Sequence, residues 1–345
     1  MRYIPITQDI KAKAVRFRNK LRSGLRIGYV SPEERLAELK EDLLDETDKQ
    51  YVQCVIQNWD KLIVATPDEF DAWESIFNEK ISTGSISERL VHVMVLNKPK
   101  GVKEQKTRYL YKLIVDAMKY EYVQSTIYPE FITELDIKAC VYCNAQYAFS
   151  VGGRNGYHNY ELDHFMPKSK YPYLCTTFMN LQPSCSACNK KKSDKEPLPD
   201  EEPFQLFVNE GLVEQLSPVK FELDEACTAR YLADPSKQEL KINFSCPGNP
   251  KLEKCFNRFF NINTLYQAHT DIAEELIWKS RIYNDVIIKD YKRLFKKLGF
   301  RDSDFARFIL GNYEQTEQIH KRPLSKMTQD IASQLKIIKE ETHDE

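Results

Sequence analysis

The spacing of apolar residues changes along this chain, and each change marks an element. Residues 9–22, D-I-K-A-K-A-V-R-F-R-N-K-L-R, set Ile10, Ala14, Phe17 and Leu21 at three- and four-residue intervals among basic residues, which predicts an amphipathic helix. Ser31-Pro32-Glu33-Glu34 has the form of a helix start, and Thr66-Pro67-Asp68-Glu69 repeats it ahead of F-D-A-W-E-S-I-F. From Thr107 to Ser125 the pattern predicts one long helix, with Tyr128-Pro129 ending it. After Lys195 the run E-P-L-P-D-E-E-P reads as an exposed connection. Short β-prone runs follow at Phe204–Val208, Val219–Leu223 and Leu240–Phe244, and helical periodicity returns from Asn263 to Lys339, including Leu265–Trp278. The expectation is an α+β chain, mainly helical: a helical region over 1–134, a compact module over 135–199, and a mainly helical region with a few short strands over 200–345.

Composition fits a folded chain. Of 345 residues, 42% are hydrophobic and only 11 are Gly and 16 Pro, enough for a buried core. The opening M-R-Y-I-P-I-T-Q lacks the apolar run of a secretory leader, and no window approaches the roughly eighteen apolar residues of a membrane span. A cytoplasmic protein without a membrane association is expected. The net charge of -1 argues against binding nucleic acid by bulk positive charge, but it conceals a partition. Residues 138–195 hold eight Lys and Arg against three acids, residues 1–30 eight against one, and residues 31–80 five against fourteen. A basic module and a basic arm therefore stand beside an acidic segment that is a candidate mask for the basic site.

Nine cysteines in a chain of this size, in a reducing compartment, are not disulfide staples. Four of them form two Cys-x-x-Cys pairs, Cys140/Cys143 and Cys185/Cys188, each of which suits one half of a tetrahedral thiolate site for structural Zn²⁺. Tyr142 and Ala187 read as fillers within them. The other five, Cys54, Cys175, Cys227, Cys246 and Cys255, have no motif around them and read as packing residues. The 41 residues between the pairs exceed a simple zinc ribbon, so a further piece is inserted, and it carries E-L-D163-H164-F-M-P-K. Adjacent strand residues face opposite sides, yet at a strand end twist brings both to one site. Asn189 follows the second pair directly, at the start of an expected helix through Lys190, Lys191 and Lys192.

With these residues in place, the stretch from about 140 to 195 resembles the HNH endonucleases of the ββα-metal type, in the branch stabilised by four cysteines. The resemblance implies that Asp163 and Asn189 hold one Mg²⁺ or Mn²⁺ ion, that His164 is the general base, and that Asn180 ties the loop to the second strand. It also implies cleavage of nucleic acid, DNA first and RNA as an alternative, to 5′-phosphate and 3′-hydroxyl ends. Lys168, Lys190, Lys191, Lys192 and Lys195 are candidate phosphate contacts, with Lys170 and Arg154 as extensions of the strip. Tyr171 and Tyr173, beside Pro172, read as packing rather than base stacking. His92, His158, His269 and His320 have no companion at ligand spacing.

The plan of an HNH module with helical flanks also resembles the nuclease subunits of Septu-type bacterial antiviral systems, which implies an ATPase partner. Three other readings share parts of this pattern: a stand-alone restriction-type nuclease, an RNA-cleaving HNH nuclease, and a catalytically inactive zinc-organised nucleic-acid-binding protein.

Overall fold

Why the N-terminal part is helical is plain from its caps. The computed structural model describes residues 1–81, 84–97, 99–152, 156–212, 215–235 and 239–337. After strand β1 (Ile4–Pro5), helix α1 (Gln8–Ser23) is capped by Thr7 and buries Ile10, Ala14, Phe17 and Leu21. Helix α2 (Pro32–Asp42) opens on a capping box between Ser31 and Glu34, with Pro32 in its first turn. Helix α3 (Glu46–Val64) buries Tyr51, Val55, Trp59 and Leu62, and α4 (Phe70–Asn78) follows a second capping box, Thr66 with Glu69.

Charge in this region is settled locally. Arg16 pairs with Glu134, Lys20 with Glu130, and Arg22 with both Glu33 at 2.9 Å and Asp60 at 2.6 Å. Farther along, Asp48 pairs with Arg89 and Asp42 with Lys103. Glu33, Asp60, Asp48 and Asp42 thus engage cations of the arm and of the segment over 89–103.

Residues 107–125 depart from the single expected helix. Strands β2 (Leu90–Asn97) and β3 (Val102–Tyr109) form an antiparallel ribbon that was not anticipated, with Leu90 opposite Tyr109 and Asn97 opposite Val102. Helix α5 (Leu110–Ala117) starts only where the ribbon ends, and Lys119, at φ 61°, breaks it. A short turn, α6 (Tyr120–Tyr122), runs into a π-type turn over Val123–Ile127, and α7 (Tyr128–Glu134) starts afresh with Pro129 in its first turn. The ambiguity is physical: Thr, Arg and Tyr suit a strand as well as a helix, and proline marks a helix start as readily as a stop.

The central module comprises β4 (Ser150–Val151), β5 (Tyr157–His158), β6 (Glu161–His164), β7 (Leu181–Ser184) and α8 (Ser186–Lys192). Beyond it come β8 (Phe207–Val208), β9 (Lys220–Leu223), α9 (Glu225–Ala233), β10 (Ile242–Ser245) and α10 (Pro250–Phe260). The chain continues through α11 (Ile262–Gln267), α12 (Thr270–Ile282), α13 (Asp285–Lys297), α14 (Asp302–Leu310) and α15 (Ser325–Gln334). A turn at Ala268 and His269 divides the helix expected over Leu265–Trp278.

The fold is α+β and mainly helical, with the module at its centre. Strand β1 pairs in parallel with β8, and β9 pairs antiparallel with β10. Helix α15 locks onto β9 through Asp330, which accepts from the Phe221 amide at 2.9 Å, and Gln334, which accepts from the Leu223 amide at 2.8 Å. One contiguous apolar core includes residues from Met1 to Ile337 and takes in all four paired cysteines. Among the described residues, no helix is long and apolar enough to cross a membrane.

Candidate active site and metal centre

Cys140 and Cys143 sit in a tight loop in which the Asn144 amide donates to the Cys140 carbonyl at 2.9 Å and the Ala145 amide donates to the Cys143 Sγ at 3.4 Å. Asn144 takes φ 49°, the left-handed conformation that Asn tolerates better than most residues. The second pair is placed by a helix: Cys185 is the N-cap of α8 and Cys188 lies in its first turn. All four thiols are buried and unbridged, with their sulfur atoms within 4.8 Å of one another. The Cys143 and Cys185 sulfurs are 4.0 Å apart, close to the roughly 3.8 Å edge of a tetrahedron with about 2.3 Å Zn–S bonds. The donor set fits a structural Zn²⁺. Left to themselves the thiols compete for protons: contacts with Cys140 first, then Cys143 and Cys188, pull Cys185 far down, while contacts with Cys140 push Cys143 and Cys188 up. A cation that accepts four thiolates removes that conflict.

Strands β6 and β7 pair antiparallel, Glu161 opposite Ser184 and His164 opposite Leu181, and α8 follows β7 after one residue. This β-strand, β-strand, helix unit brings Asp163, His164 and Asn189 to one cleft of about 420 Å³, which Tyr111, Lys168, Ser169 and Lys190 also line. The His164 ring is buried, with its Nε2 2.9 Å from the Cys175 carbonyl oxygen. A carbonyl only accepts, so Nε2 carries the proton and the neutral ring keeps its lone pair on Nδ1. Burial, and after it the nearby Lys168, holds the imidazole well below its ordinary pKa. Asn180 is fully buried at the base of the loop between the strands. Its Oδ1 accepts from the Met166 amide at 2.7 Å, and its Nδ2 donates to the Met166 and Leu174 carbonyls at 3.1 and 3.0 Å.

Three residues that the sequence reading passed over or placed elsewhere surround these groups. Tyr142, read as a filler between two cysteines, donates its hydroxyl to Asp163 Oδ2. Burial and the Asp163 carboxylate push this phenol well above its ordinary pKa, which keeps it a donor, and Gln182 Nε2 donates to its oxygen at 2.9 Å. Glu161 lies two residues before Asp163, on the same face of β6. Its carboxylate accepts from Asn189 Nδ2, which fixes the amide with Oδ1 as its free end. Lys192, expected as a phosphate contact, is buried: its Nζ donates to the His164 carbonyl at 2.7 Å and lies 2.8 Å from Asp163 Oδ2. Helical spacing explains the difference, since Lys192 is four residues beyond Cys188 and shares its inward face. No sequence signal short of that spacing singles out these three residues.

The remaining candidates divide. Lys168 lines the cleft, with its Nζ 4.0 Å from the centre of the Tyr120 ring. Lys190 lines it too, and Lys191 and Lys195 are exposed, with Lys195 Nζ donating to the Lys191 carbonyl at 2.9 Å. Lys170 is paired with Glu196 at 2.6 Å, and Arg154 lies outside the described residues. Tyr173 stacks on Phe77 at 3.8 Å, and Tyr171 packs edge-on against Tyr173 and donates to Glu74 at 3.2 Å. His320 is buried, with its Nε2 3.0 Å from the Met1 amino group.

Residues 139–195, which span both cysteine pairs and the cleft, match the family model described as HNH endonuclease. The Septu protein PtuB of Bacillus thuringiensis is 38% identical to this chain over 71 residues, covering 19% of the chain and 25% of that relative. The chain thus matches about a quarter of the relative's length. No solved structure gives a significant match.

Proposed function

We propose, from the premise that residues 139–195 are an HNH endonuclease domain, that this protein is a metal-dependent endonuclease that hydrolyses DNA phosphodiester bonds. The observation that carries the reading is the convergence of Asp163, His164 and Asn189 on one cleft, with an unprotonated ring nitrogen on His164 and an amide oxygen on Asn189 left free. Tyr142 and Lys192 lie closest to Asp163 Oδ2, and among the described residues no hydrogen bond reaches Oδ1.

Asp163 Oδ1 and Asn189 Oδ1 are hard oxygen donors of the kind that Mg²⁺ or Mn²⁺ takes alongside retained waters, and the pair fits such an ion. Bound there, the ion would neutralise charge on the scissile phosphate and on the departing 3′ oxygen. His164 takes a proton from water at Nδ1, and its Nε2–H bond to the Cys175 carbonyl holds the ring in the tautomer that makes this possible. The water oxygen bonds to phosphorus, the bond from phosphorus to the 3′ oxygen breaks, and that oxygen takes a proton from solvent. The products carry 5′-phosphate and 3′-hydroxyl ends. Lys168 and Lys190 lie where they can contact the phosphate, and burial lowers the pKa of Lys168. Cys140, Cys143, Cys185 and Cys188 would hold Zn²⁺, which sets α8, and with it Asn189, against β6.

The partial likeness to a Septu protein supports a place in bacterial defence against phage, in the cytoplasm and in concert with an ATPase. A nuclease restrained by a partner would spare its host. Plasmid cleavage by purified protein in Mg²⁺ or Mn²⁺, wild type beside His164→Ala, tests the chemistry. Nicking by the wild type alone is the expected result, and equal activity in the variant overturns the assignment. Co-purification with a neighbouring ATPase tests the partner.

A further inference from the structure

The β2–β3 ribbon is long for a two-stranded sheet, about 26 Å at roughly 3.3 Å per residue. The apolar anchor is on β2, through burial of Val91 and Val93 and a bridge from Leu43 to Val93. Strand β3 is exposed at every position but Glu104, and its outer edge pairs with no strand among the described residues. The cations of the ribbon and its turn fall into two sets. Lys100 pairs with Glu104 at 2.9 Å and Lys103 with Asp42. Lys106 and Arg108, two residues apart on one face of β3, are exposed and close no ion pair among the described residues, although Lys106 is near enough to Glu104 to help lower its carboxyl pKa; Lys112, near the start of α5, closes none either. The ribbon runs without a break into Tyr109 and Tyr111, and Tyr111 lines the catalytic cleft beside Asp163, His164 and Asn189. Lys112 Nζ lies 5.1 Å from the Tyr109 ring and 5.8 Å from the Tyr111 ring, which places its charge at the junction of ribbon and cleft.

We propose that the ribbon is a duplex-DNA-binding arm, in which Lys106, Arg108 and Lys112 hold backbone phosphates and lead the strand to be cut into the cleft. This rests on the nuclease reading and adds where the substrate lies. Two arguments select duplex DNA: charge complementarity between these cations and phosphate, and the fit of a two-stranded ribbon to a major groove about 12 Å wide. Continuity with the cleft then gives the arm a use. Lysines on an open edge also deter strand pairing between molecules, but that role would not alter DNA binding.

The test is equilibrium binding of the full-length protein, carrying His164→Ala to prevent cleavage, to a fluorescent duplex two helical turns long. Binding is followed by anisotropy between about 50 and 200 mM salt. Adding K106A and R108A should weaken binding at least tenfold at the lower salt and reduce the slope of log K against log[salt] by about 2, the loss of two phosphate contacts. The pair K220A and K254A removes the same charge outside the ribbon and should leave the slope in place. Thermal denaturation of each variant guards against a folding defect. Wild-type slope in the ribbon variant, or equal losses in both pairs, overturns the proposal, and a loss that appears only when a single-stranded RNA of the same length replaces the duplex overturns the duplex assignment. Wild-type nicking without ribbon-dependent binding sinks the arm alone, whereas wild type that neither binds nor nicks sinks the nuclease reading with it.

Discussion

Tyr142 donates its hydroxyl to Oδ2 of Asp163, joining the first cysteine pair to the end of β6 across 21 residues of sequence. Through this bond the zinc loop positions the carboxylate directly. Tyr142→Phe keeps the ring, which stacks on Phe260 at 4.6 Å, but removes the donor. The expected cost is about 1–2 kcal/mol in stability, because Gln182 Nε2 is left with only its 3.3 Å bond to the Phe204 carbonyl. Nicking should slow on the order of tenfold as the carboxylate loses one of its two fixed neighbours. Chemical denaturation and a plasmid-nicking time course check the two effects, and an unchanged rate would show that Asp163 is held without this bond.

Lys190, Lys191 and Lys192 are consecutive, yet their substitutions should fail in different ways. Lys192→Met keeps the stem and leaves Asp163 without its buried cation, which should cost about 3–5 kcal/mol and lower the melting temperature. Lys190→Ala with Lys191→Ala removes exposed charge, so stability should hold while the salt slope of DNA binding falls by up to about 2. Equal stability of all variants would contradict the inward placement of Lys192.

The sequence made legible what depends on short spacing. Two Cys-x-x-Cys pairs, the Asp163-His164 step and an asparagine next to a cysteine stand out as short-range patterns, and the structure brings the four sulfurs within 4.8 Å of one another and sets Asp163, His164 and Asn189 on one cleft. Helix starts at Ser31 and Thr66 were equally plain, since capping is local. Contacts decided only by tertiary packing were not legible. Glu161 looks like any strand carboxylate until α8 brings Asn189 against it, and Thr107–Tyr109 satisfies a helical pattern until β2 supplies a strand partner.

Zinc should be inseparable from the catalytic geometry although it stands apart from the chemistry. One Zn²⁺ per chain is expected by elemental analysis of protein purified without chelator. Cys185→Ser removes a thiolate at the N-cap of α8, so it should lose the metal and disorder the helix that carries Asn189. Added Mg²⁺ should not restore cleavage to this variant. A zinc-free protein with full activity and an unchanged melting temperature would show that the four cysteines pack as ordinary core residues.

Glu161 offers a sharper separation of metal binding from catalysis. Its carboxylate accepts from Asn189 Nδ2 and so decides which end of the amide faces the cleft. Glu161→Ala frees the amide to turn, and a supporting contact of this kind typically sets metal affinity by about 10–100-fold. The Mg²⁺ concentration for half-maximal nicking should therefore rise by about tenfold or more, with the rate at saturating Mg²⁺ partly recovered. Glu161→Gln retains an accepting oxygen, and its Mg²⁺ requirement should stay close to that of the wild type. If Glu161 were a ligand in its own right, the glutamine variant would lose affinity as well, because the charge is what a hard cation takes from a carboxylate. Mg²⁺ titrations of the two variants, read side by side, distinguish a residue that aims a ligand from one that is a ligand.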